Sequence, residues 1–198
     1  MKSNICKINK GTEDLAAILA ESEKVAVYNG LTHKQTLQLR LLCEEIDGML
    51  PSLINEFEGD FWIDFENGVC KVNVSIELAE FTAEKKDELI GISKNKKNAA
   101  AVGIVGKIRS MLESFFLDET IVRHCSFSPG VFSMATGYSE GVNYSYLWSL
   151  EQYKSNVKQE MSEDWDELEK SVIASVADDV IVGVKGKHAD VVIIKKFD

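Results

Sequence analysis

Two glutamates stand side by side at Glu44 and Glu45, in a stretch whose apolar residues recur every three or four positions. Adjacent carboxylates are raw material for general acid–base work. Glu45 comes three residues after Leu42 and four before Met49, which turns it partly inward on a helix. A carboxylate withdrawn from water holds its proton more tightly unless a cation pairs with it. The simpler account leaves Glu44 in solvent and Glu45 at the margin of an apolar stripe. A second spacing of interest is Gly103-Ile104-Val105-Gly106. Closely spaced glycines can open room for a phosphate at a helix N-terminus, or they can mark a close approach of helix to sheet.

The remaining reactive side chains are scattered. His33, His124 and His188 are far apart, with no carboxylate or cysteine at ligand spacing. His124-Cys125-Ser126 invites a nucleophile reading, but neighbours on a strand point to opposite faces, so no dyad forms there. Cys6, Cys43, Cys70 and Cys125 contain no C-x-x-C pair, which leaves neither a zinc spacing nor a disulfide framework. Cys43 and Cys70 fall in apolar patterns, where a reduced thiol acts as a small hydrophobe. No phosphate-binding lysine loop, G-x-S-x-G or G-x-G-x-x-G occurs.

The elements that must position these residues are legible from periodicity. Residues 4–10 read as a short opening strand, and Thr12 caps a helix carrying Leu15, Ile18, Leu19, Ser22, Val25 and Ala26 inward, with Gly30 as its stop. Thr32-His33-Lys34-Gln35 is a capping box, followed by a stripe of Leu39, Leu42, Ile46, Met49, Leu50, Leu53 and Phe57, with a kink or an ending near Pro51. Phe61, Ile63 and Phe65 alternate, Asn67-Gly68 supplies a two-residue turn, and Cys70, Val72, Val74 and Ile76 alternate in return.

Residues 77–98 are polar and irregular, and 99–116 form a helix with Ala101, Ile104, Val105, Ile108, Leu112 and Phe115 on one face. Strands are expected at 131–136 and 142–153, the second with Val142, Tyr144, Tyr146, Trp148 and Leu150 on one side. A polar link over 154–160 leads to a Ser162-capped helix with Trp165, Leu168, Val172, Ile173 and Val176 inward. Two β-branched runs, 180–184 and 191–194, close the chain. Strands joined by hairpins and helices in groups predict helices on one face of a mixed, mostly antiparallel sheet, a two-layer α/β sandwich. Residues 1–153 make the main domain, and 154–198 a helix-and-hairpin extension of it.

With 198 residues, 45% of them hydrophobic and a net charge of −10, the chain can build a normal core. The acidic balance argues against nucleic acid or anionic membrane as partner. The one basic run, Lys94-Asn95-Lys96-Lys97 near Lys85 and Lys86, reads as a solvated loop. No stretch has signal-peptide or membrane-span character, so a cytoplasmic location with free thiols is expected.

This order of elements, with the segment Leu39 to Met49 around Glu44-Glu45, the 60–76 hairpin and Gly103-x-x-Gly106, resembles the histidine-kinase-like ATPase superfamily, in particular its bacterial anti-sigma-factor serine kinases. The resemblance implies that Glu45 stands where the family polarises the attacking hydroxyl, and that Met49 stands where the family's asparagine holds magnesium. A thioether is a poor ligand for that hard cation. Glu77 stands near the family's adenine-reading aspartate, without the glycines that follow it, and Gly103 and Gly106 stand for the lid-closing pair. ATP with magnesium is therefore the implied cofactor, and these departures imply that it is bound weakly or not at all. What the resemblance then implies is a regulatory module that binds another protein, or a second copy of itself as the anti-sigma relatives do. The alternatives are a working ATP-dependent serine kinase of that type, and an unrelated α/β domain with a small-molecule or structural role.

Overall fold

The computed structural model describes residues 1–9, 15–53, 57–78, 108, 146–160, 172–185 and 188–197. Its strands are β1 (Cys6–Asn9), β2 (Phe57–Glu66), β3 (Val69–Leu78), β4 (Tyr146–Ser149), β5 (Asp179–Lys185) and β6 (His188–Lys196). Its helices are α1 (Leu15–Tyr28), α2 (His33–Leu53), α3 (Leu150–Glu160) and α4 (Val172–Val176). The six strands form one sheet in the order β1-β2-β3-β6-β5-β4. Every pairing among them is antiparallel. The expected two-layer α/β sandwich is present, its sheet mostly antiparallel as expected and wholly so among the described strands.

The turn between β2 and β3 forms as its sequence dictates, with φ of 52° at Asn67 and 78° at Gly68. Both central residues at positive φ give the twist that matches the flanking strands. The register then fixes the two faces. Phe61, Ile63 and Phe65 stand beside Val74, Val72 and Cys70, and the last three beside Val191, Ile193 and Lys195. Val180, Val182 and Val184 of β5 continue this face toward Trp148 of β4. The apolar members of this face join Ile18 and Val25 of α1, Leu39, Leu42, Ile46 and Leu50 of α2, and Ile173 of α4 in one buried cluster.

The C-terminal hairpin is part of the same sheet. β6 lies between β3 and β5 in the interior of the sheet, so the last strand joins the N-terminal three strands to the rest. A departure from expectation concerns residues 146–160. The strand expected to reach Tyr153 ends at Ser149, and the expected polar link is helix α3. Capping explains the switch: Asp179 Oδ1 accepts the Glu151 N–H at 2.9 Å, and Ser149 Oγ accepts the Gln152 N–H at 3.4 Å. Both satisfy first-turn donors that have no partner within the helix. Trp148 shares the inner face with Val182 and packs against the core, its ring 6.0 Å from that of Tyr153 on α3.

α2 runs two residues past Pro51 before it ends. Of the helix expected over 99–116, Ile108 is described; it is helical and fully buried in the same cluster as α1 and α2. The Thr12 cap, the strand at 131–136, and Trp165 and Leu168 lie outside the described residues.

Candidate functional site

α2 carries the candidates Glu44, Glu45 and Met49, and local chemistry sets its start. Thr32 N–H donates to Gln35 Oε1 at 2.8 Å, while Gln35 N–H donates to Thr32 Oγ1 at 3.4 Å, the reciprocal capping box. From that start the helical period sends Leu39, Leu42, Cys43, Ile46, Met49 and Leu50 into the core. Met49 is 3% exposed and belongs to the buried core cluster. Glu45 is half-buried, at the margin of that stripe.

Of the adjacent carboxylates, Glu44 is engaged by a cation. Glu44 accepts a hydrogen bond from Arg40 Nε at 2.9 Å, one helical turn back, and Arg40 Nη1 lies 3.6 Å from Glu23 Oε1 on α1. The Glu44 carboxylate, with Glu23 beside it, holds the Arg40 guanidinium even more firmly in its charged form. The group is a surface clamp between two helices. Solvent screens an exposed pair of this kind, so it contributes little to stability.

Glu77 is elsewhere. Alternation along β3 places Val74 and Ile76 on the helix side, which leaves Ser75 and Glu77 on the opposite face. There Glu77 is exposed, in register with Glu58 of β2 and His188 of β6. The sheet therefore lies between Glu77 and Met49. Gly103, Gly106, His124, Cys125 and the basic run at Lys94 lie outside the described residues. His33 and His188 are both exposed, as their positions in a cap and at a strand end imply.

The buried thiols behave as hydrophobes. Burial, and secondarily the Asp64 carboxylate, push the Cys70 thiol up to about 12. Burial also raises Cys43 well above its ordinary value, with Cys70 adding to it. A thiol held protonated in this way is a poor nucleophile and a poor metal ligand.

The sequence pattern gave no hint of a polar network on the sheet face away from the helices. Trp62 Nε1 donates to Asp64 Oδ2 at 2.9 Å, and Asn73 Nδ2 donates to the same oxygen at 3.2 Å. Lys2 Nζ lies 4.8 Å above the Trp62 ring. Asn73 is 1% exposed, and its Oδ1 has no hydrogen-bond donor among the described residues. Ile181, Val192 and Ile194 on the same face are buried as well. Asn73 occupies an outward position in a clean alternation, where a polar residue signals solvent, so the sequence could not reveal its burial.

No described helix is long and apolar enough to cross a membrane. Among the described residues no group of three or more His, Cys, Asp or Glu is arranged to hold a metal ion. Comparison with protein families, with curated proteins and with solved structures finds no match.

Proposed function

We propose that this chain is a regulatory protein-binding module, cytoplasmic, built on a diverged histidine-kinase-like ATPase scaffold of the anti-sigma type, with nucleotide binding weak or lost. The observation that supports the loss of nucleotide binding is the separation of Met49 from Glu77, the positions that the resemblance assigns to magnesium and to adenine. Met49 is buried in the core on the helix side of the sheet, and Glu77 is exposed on the other side. One bound nucleotide cannot touch a buried thioether and a carboxylate across the sheet from it. Glu44, the neighbour of Glu45, is already engaged by Arg40.

The surface of the helix layer supports the protein-binding half of the proposal. Val27 and Tyr28 at the end of α1 and Leu37 on α2 are 82%, 74% and 51% exposed. Val27 lies one turn from Glu23 and Leu37 one turn from Arg40, and the Glu23–Arg40 contact joins the two helices at that level. Val27 and Leu37 therefore share one side of the layer. The aromatic strand is less available for this purpose, because Trp148 is packed against the core.

Size-exclusion chromatography with light scattering, and retention of a protein from native lysate, test the proposal. Self-association or a stoichiometric protein partner is expected, with loss of either in a Val27→Asp/Leu37→Asp variant that keeps the parent melting temperature. A monomer at high micromolar concentration that retains no protein overturns it.

A further inference from the structure

We draw no further inference here: the strongest candidate, the Trp62–Asp64–Asn73 side-chain cluster on the sheet face turned away from α1 and α2, with the buried Asn73 Oδ1 lacking a donor among the described residues, carries nothing because nothing in the structure shows what covers that face.

Discussion

Replacing Met49 with asparagine restores the residue type that the anti-sigma resemblance implies for holding magnesium, and it puts opposite expectations on stability and on binding. Met49 is 3% exposed and packs with Leu42, Ile46 and Leu50. Truncating a buried methionine costs about 2–5 kcal/mol through lost contacts and a residual cavity. Burying an amide there in place of the thioether adds a desolvation cost of about 1–3 kcal/mol. Partial relaxation of the site offsets some of the sum, so Met49→Asn should cost about 3–5 kcal/mol. In a chain of this size each kcal/mol lowers the melting temperature by about 2–4 °C, so a fall of roughly 6–20 °C is expected. Met49→Leu, which conserves volume, should cost less than about 1.5 kcal/mol. Urea denaturation and thermal melts of the two variants, each with and without Mg-ATP, give the answer. A Met49→Asn protein within 1 kcal/mol of the parent, or one whose melting temperature rises by several degrees with Mg-ATP, would refute the placement of this residue in a closed core.

Two further substitutions probe the frame around the site. A Cβ at Gly59 would lie 2.4 Å from Ser75 O and 2.8 Å from Ile76 Cγ2, and the first of these is backbone in the neighbouring strand. Gly59→Ala should therefore destabilise by about 1–3 kcal/mol in urea titration, and an unchanged midpoint would contradict the close approach. The Glu21 carboxylate is nearly buried, and its hydrogen bond with the Lys24 ammonium, aided by Asn4, holds it below the usual carboxylate range. A depressed folded-state value means stability that is present above the unfolded glutamate value of about 4.3 and lost as pH falls through the folded one. Melting curves of Glu21→Gln and the parent should thus differ at neutral pH and converge in acid, whereas a gap that widens toward low pH would overturn the assignment.

Elements set by neighbouring residues were legible, and arrangements set by distant ones were not. Asn67-Gly68 demands positive φ whatever surrounds it, and Thr32 finds Gln35 within a single turn, so both motifs form as read. The valine and isoleucine runs near the C-terminus announce strands, and strands form there. Their location could not be read. The partner of Val191 is Val74, more than a hundred residues earlier, and β-branched runs fit any pleated neighbour equally well. The boundary at Ser149 was missed for a related reason. Asp179, thirty residues further on, supplies one of the caps that turn the chain into α3. Of the candidate site, Met49 was visible as part of the α2 stripe and Glu45 as its margin. The sheet that divides Met49 from Glu77 appears only once the strand faces are assigned by pairing. Asn73 was invisible because burial of the second sheet face leaves no periodic trace in a strand that already alternates.

The most direct test of the account is isothermal calorimetry of the full chain with ATP and magnesium. Relative to a site that keeps both groups, a missing metal ligand and a missing charged acceptor should each cost about 1–3 kcal/mol. Each loss corresponds to roughly 10- to 100-fold in affinity. No heat of binding is expected at sub-millimolar nucleotide, and no rise in melting temperature in a parallel thermal titration. Saturable binding in the low micromolar range that requires magnesium would contradict it and favour a working nucleotide site.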